Sequence, residues 1–204
     1  MNLPNQLTIA RCGMTVVFVA FMSFENFYCY FLAYLVFIGA AVTDYYDGKI
    51  ARERGLVTNF GKLLDPVADK VLITSAFIMM MKVPELMIPG WTIVVILARE
   101  FLVTGARALA AAEGEVIAAN VSGKTKTVFQ LVYVFTFLFF AMAFRFLDLF
   151  PRIWDYAPGG RESYVTVIGY MSLVAMVLVA LYTVYSGIHF AQVNWKTLKL
   201  DNLS

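Results

Sequence analysis

Six long apolar runs, at about residues 6–23, 27–51, 62–82, 88–112, 122–145 and 164–192, constrain this chain more than any other feature. At ~1.5 Å rise per residue each reaches across a hydrocarbon core of ~30 Å, the first only just. Lipid offers backbone amides no water, so a spanning segment is a helix or part of a closed barrel. Barrel strands alternate apolar and polar residues over ~10 positions, and these runs do not alternate. Composition agrees: 61% of the 204 residues are hydrophobic, 15% are charged, and the mean hydropathy is +0.74. The expected fold is therefore all-α, an integral membrane bundle of six transmembrane helices. No break is long enough for a second domain and no repeat is visible, so residues 1–204 read as one domain. Residues 3–11, where Pro4 leads a mixture of Asn5, Gln6, Thr8 and Arg11 with Leu7 and Ile9, read as a short interfacial segment before the first span.

The few charges orient the bundle. Arg11, Lys49, Arg52, Arg54, Lys62, Lys70, Arg99, Arg107, Lys124, Lys126, Lys196 and Lys199 fall toward the side of the termini. Lys82, Arg145, Arg152 and Arg161 fall toward the other. The excess places both termini in the cytoplasm of a multi-pass cell-membrane protein. No basic run suggests a nucleic-acid partner. The N-terminus has neither a basic region before its apolar run nor a small-residue cleavage site, so no removable signal is expected. Cys12 and Cys29 lie in apolar segments and read as small packing residues. The break 146–163 carries Pro151, Pro158, Gly159 and Gly160, a turn-rich connection, with Trp154 and Tyr156 at the level of an interfacial belt.

The most informative stretch is DYYDGKIARERGLVTNFGKLLDPVAD, residues 44–69. Asp44 and Asp47 are three apart and share a helix face at the cytoplasmic end of the second span. Asp65 and Asp69 are four apart on the third span, and the short loop between makes the two helices antiparallel neighbours. That topology brings four carboxylates toward one cleft. Together they repel, and without cations they would be driven to protonate. A pair of divalent ions is one solution; hard oxygen donors suit Mg²⁺ or Mn²⁺, which retain waters and bind substrate phosphates. Gly48, Ala51 and Gly61 are small where a bulky side chain would block a ligand, although small residues also serve helix packing. Charge pairing of the aspartates with Lys49, Arg52, Lys62 and Lys70 is the plainer alternative.

The pattern D-x2-D-G-x2-A-R-x8-G-x3-D-x3-D, with eight fixed positions, is present without a departure. It resembles the signature of the CDP-alcohol phosphatidyltransferase family. PNQLTIAR (4–11), GKLLDPVADK (61–70), ILAREFLVTGARALAA (96–111) and SGKTKT (122–127) are similar to the branch that uses glycerol 3-phosphate. The resemblance covers about residues 4–130; beyond that only the hydropathy agrees. It implies that Asp44, Asp47, Asp65 and Asp69 share two metal ions and that Asp69 is the general base. It implies that Gly48 and Arg52 contact the CDP phosphates, beside the small Ala51 and Gly61. Thr58 would lie near the cytidine, and Asn5 and Thr8 would help hold the nucleotide. The donor would be CDP-diacylglycerol, and the family generally forms homodimers.

The acceptor is read from a second basic group. Arg99 and Arg107 lie on the fourth span, and Lys124 and Lys126 open the fifth. Charges inside a span are expensive without a purpose. A pocket of these residues suits an anionic acceptor, glycerol 3-phosphate, whereas choline or ethanolamine would not need it. The plainer alternative is that Arg99 pairs with Glu100 or reaches the interface. His189, the sole histidine, lies in the last span outside the motif and reads as a helix-end polar residue, not a nucleophile. Three rivals remain at this point: a family enzyme making phosphatidylinositol phosphate, cardiolipin or phosphatidylserine; a divalent-cation transporter, whose acidic pairs would lie near the midplane; and a silent scaffold.

Overall fold

The structure is a computed structural model that describes residues 3–54, 59–112, 114, 115, 117 and 121–195; for 3–7, 44–54, 59–67, 69, 121, 122 and 124 it describes the backbone alone. Among the described residues every regular element is a helix, with no strand. The helices are α1 (Leu3–Met22), α2 (Phe27–Arg54), α3 (Asn59–Met81), α4 (Gly90–Ala112), α5 (Val121–Leu147), the single turn α6 (Ile153–Tyr156) and α7 (Gly160–Val193), with a 3₁₀ turn at Pro84–Leu86. Each apolar run corresponds to one long helix. α2 and α5 extend past the apolar limits because backbone hydrogen bonding continues into charged sequence.

The ends are set locally. Pro4 sits in the first turn of α1, where its missing N–H costs nothing. Asn26 caps α2: its Oδ1 accepts the Cys29 N–H at 3.0 Å. Gly159 and Gly160 precede and open α7 at φ +77° and +63°, where a side chain would be strained. Asn194 closes it by donating to the Phe190 carbonyl.

α1 packs along both α2 and α3, and α5 and α7 lie against each other and, respectively, against α2 and α4. Ala33 and Ala40, both fully buried, let α1 approach α2 closely. Phe18, Phe37 and Phe135 then join α1, α2 and α5, with ring centroids 5.6 and 5.2 Å apart. Tyr133 of α5 and Ser172 of α7 share a buried hydrogen bond of 2.7 Å. The hydroxyls of Thr15, Thr43 and Thr183 bond to carbonyls four residues back, which satisfies them inside apolar helices.

Thr125–Leu147 and Gly160–Val193 are long and apolar enough to cross a membrane, with mean hydropathy 2.0 and 2.2, and most of each is unburied. Val167, Met171, Val174, Leu178, Leu181 and Ile188 form an exposed apolar face down α7. A surface of that extent meets lipid rather than water. The apolar parts of α1, α2 and α3 are shorter: Thr8–Met22, Phe27–Thr43 and Lys70–Met81.

The end opposite the aspartate motif is closed by an ion network. Glu85, on the 3₁₀ turn and 6% exposed, accepts from Arg145 of α5 at 3.0 Å and Arg161 of α7 at 2.9 Å. Arg161 also grips Asp148 at 2.8 and 3.0 Å, and Trp154 Nε1 donates to the same carboxylate at 3.2 Å. The Arg145 guanidinium lies 5.6 Å from the Tyr30 ring centroid. The 146–163 connection is thus a fastener between α5, α6 and α7, with Tyr156 exposed beside it. Hydrogen bonding from Arg161 outweighs partial burial and holds the Asp148 carboxyl below the usual carboxylate range. A carboxyl whose folded pKa is depressed stabilises above its unfolded pKa of ~3.9 and loses that contribution as pH falls through the folded value. Thermal unfolding in detergent is expected to show an acid-side loss below about pH 4 that Asp148→Asn diminishes, with no difference between the two proteins' slopes at neutral pH.

Candidate active site

The four motif aspartates lie on two consecutive helices that touch each other and share α1 as a neighbour. Asp44 and Asp47 are less than one turn apart on α2, and Asp65 and Asp69 are about one turn apart on α3. Gly48, Ala51 and Arg52 continue α2, and Gly61 lies in the first turn of α3. Side chains of these residues are outside the described set, as are Thr58 and the side chain of Asn5. Among the described side chains, no group of three or more His, Cys, Asp or Glu is placed to hold a metal. The donor chemistry of the four positions, carboxylate oxygens paired within two adjoining helices, fits hard divalent ions.

α1 contributes more than a lead-in. Thr8 is fully buried, and Arg11, one turn on, is 1% exposed. The sequence alone assigns Arg11 to the charge balance, the interfacial segment and the 4–11 resemblance, and gives it no part in the site. Its position was the missed signal: a guanidinium in an apolar run is expensive facing lipid and marks the interior of the bundle. α1 packs against the two helices that carry the aspartates.

The basic residues of α4 and α5 divide between two surroundings. Arg99 is buried and turns to α7, where Nη2 donates to Ser186 Oγ at 2.9 Å. It stands 3.9 Å from Glu100, too far for a hydrogen bond. Gly187 leaves room beside it: a Cβ there would lie 3.0 Å from Arg99 Cγ, and the arginine would have to shift slightly. The Arg107 guanidinium lies 5.3 Å from the centroid of Phe190, also on α7. Lys126 is buried and pairs with Glu100, on the side of α4 that faces α3 and α5. Lys70, next to Asp69, bonds Thr104 of α4. The Lys124 side chain is outside the described set. His189 lies on α7 with its ring 6.1 Å from Tyr185.

The model of the CDP-alcohol phosphatidyltransferase family matches residues 1–178, and this chain belongs to that family. The match runs well past residue 130, where the sequence resemblance faded. Among curated relatives, a CDP-diacylglycerol–glycerol-3-phosphate 3-phosphatidyltransferase of Bacillus subtilis is 35% identical, over 98% of this chain and 99% of its own. The protein of the same name from Rickettsia bellii is 41% identical over 64% of this chain and 71% of its own. A probable phosphatidylglycerophosphate synthase of Mycobacterium tuberculosis is 39% identical over 67% and 66%.

Proposed function

We propose that this protein transfers the phosphatidyl group of CDP-diacylglycerol to sn-glycerol 3-phosphate, giving phosphatidylglycerophosphate and CMP. The observation that carries the reading is the unbroken aspartate motif set on two adjoining helices. The names of relatives similar over nearly the whole chain support the same substrates. The six long helices act as six spans, with both termini and the site at the cytoplasmic face and the chain paired as a homodimer.

Asp44, Asp47, Asp65 and Asp69 hold two ions, Mg²⁺ or Mn²⁺. When bound, these supply positive charge against the donor's pyrophosphate. Arg52 adds a fork suited to phosphate oxygens, and Gly48, Ala51 and Gly61 leave room for them. Asn5, Thr8 and Thr58 hold the nucleotide. The acceptor phosphate lies among Arg99, Arg107 and Lys124, whereas Lys126 is committed to Glu100 in a neighbouring cavity. Arg99 already serves Ser186, so Arg107 and Lys124 carry more of that charge. Asp69 takes the proton of the acceptor hydroxyl. That oxygen attacks the lipid-side phosphorus, a new P–O bond forms, and the P–O bond to CMP breaks in line. Positioning and charge stabilisation supply most of the rate.

The purified protein is expected to release CMP from CDP-diacylglycerol only with glycerol 3-phosphate and a divalent ion, and not after chelation. Turnover with inositol phosphate or phosphatidylglycerol instead would move it to another branch. Ion flux into liposomes without CMP release would make it a transporter. Arg107→Gln is expected to raise the KM for glycerol 3-phosphate about 10- to 100-fold, the worth of a charge-assisted hydrogen bond, while the KM for the donor stays nearly constant.

A further inference from the structure

A small cavity with polar groups along part of its wall lies between α3, α4 and α5. It is lined by Lys70 and Thr74 on α3, Glu100 on α4, and Lys126, Thr127 and Gln130 on α5. Its volume of about 30 Å³ is room for a water or two, or for one oxygen-bearing arm of a ligand. Gln130 is 3% exposed, and its Nε2 has no hydrogen-bond partner. Leaving a buried amide unpaired is costly, so such a group is retained where a partner arrives. The cavity is close to the aspartate motif. Lys70 and Thr74 are one turn apart on α3, Lys70 follows Asp69, and Ile73 of the cavity wall is four residues beyond Asp69 on the same stripe.

We infer that Gln130 is a specificity-determining residue that donates from Nε2 to the secondary hydroxyl of the acceptor. This rests on the function proposed above. The cavity's volume of about 30 Å³ admits a single hydroxyl more readily than a phosphate. Lys126 is already matched by Glu100, and the Glu100 carboxylate would repel a phosphate entering beside it. A hydroxyl needs one donor and one acceptor; Gln130 Nε2 and the Glu100 carboxylate supply both. The phosphate end is thereby left to the basic residues outside the cavity, and the primary hydroxyl to Asp69.

The test compares sn-glycerol 3-phosphate with 3-hydroxypropyl phosphate, which lacks only the secondary hydroxyl. A site that bonds a hydroxyl rejects the analogue lacking it strongly, so the unaltered protein is expected to prefer glycerol 3-phosphate by about 10²-fold or more in kcat/KM. Gln130→Leu is expected to lower kcat/KM for glycerol 3-phosphate by about 10- to 100-fold and leave that for the analogue nearly constant. Its thermal stability should be equal or higher, since an unpaired amide is gone. Gln130→Met, closer in shape, gives the same readout if the leucine variant does not fold. Equal losses for both acceptors, or an intact preference in the variants, overturn the assignment of Gln130 alone. Failure of the unaltered protein to use either acceptor overturns both this assignment and the proposed function.

Discussion

Asp69→Asn is expected to reduce CMP release by about 10²- to 10⁴-fold, the usual contribution of a positioned base, while CDP-diacylglycerol still binds. The amide keeps the shape of the carboxylate but accepts no proton and brings no charge to the ions. Three carboxylates remain to hold ions against the donor's pyrophosphate. A general loss of structure would look different, and stability separates the two. Removing one of four mutually repelling charges should leave the chelated protein as stable as before, or more so. Single-turnover CMP release, donor binding and the melting temperature in chelator are the measurements. A variant that turns over normally would remove Asp69 from the role of base.

Glu85→Ala, at the other end of the bundle, is expected to cost about 3 kcal/mol or somewhat more, the range for breaking a buried ion pair by removing one partner. Glu85 is buried and serves two arginines. Arg161 retains Asp148 at 2.8 Å, but Arg145 is left with Asp148 at 3.8 Å and the face of Tyr30. The variant should melt at lower temperature in detergent, yet show an unchanged KM for both substrates well below its transition, because no substrate contact is proposed there. Glu85→Gln keeps an acceptor and should lose less. An unchanged melting temperature for the alanine variant would mean the network holds nothing together.

Much of this was readable in the chain itself. The lengths of the apolar runs led to the six long helices because a backbone surrounded by lipid has few ways to satisfy its own hydrogen bonds. The helices that carry the motif were readable because helical spacing converts three- and four-residue intervals into neighbouring positions on one helix. Apolar identity was less informative. Past residue 130 the resemblance faded while the family match continued to 178, since one lipid-facing Leu, Val or Met substitutes readily for another.

Rotation of each helix about its axis was not readable. Arg99 and Glu100 are consecutive in sequence, yet Arg99 faces Ser186 on α7 and Glu100 faces Lys126 on α5. The step of about 100° between neighbours on a helix separates a residue bound into α7 from one lining the cavity, and only the packing of α4 against its neighbours decides which is which. The burial of Arg11 against the aspartate-bearing helices, the unpaired amide of Gln130 and the partners of Glu85 depend likewise on contacts between residues far apart in sequence. Composition and spacing determined which groups this protein carries and on which helix each lies. Tertiary packing alone decided which of them face one another, because pairing energies depend on distances that no single helix sets.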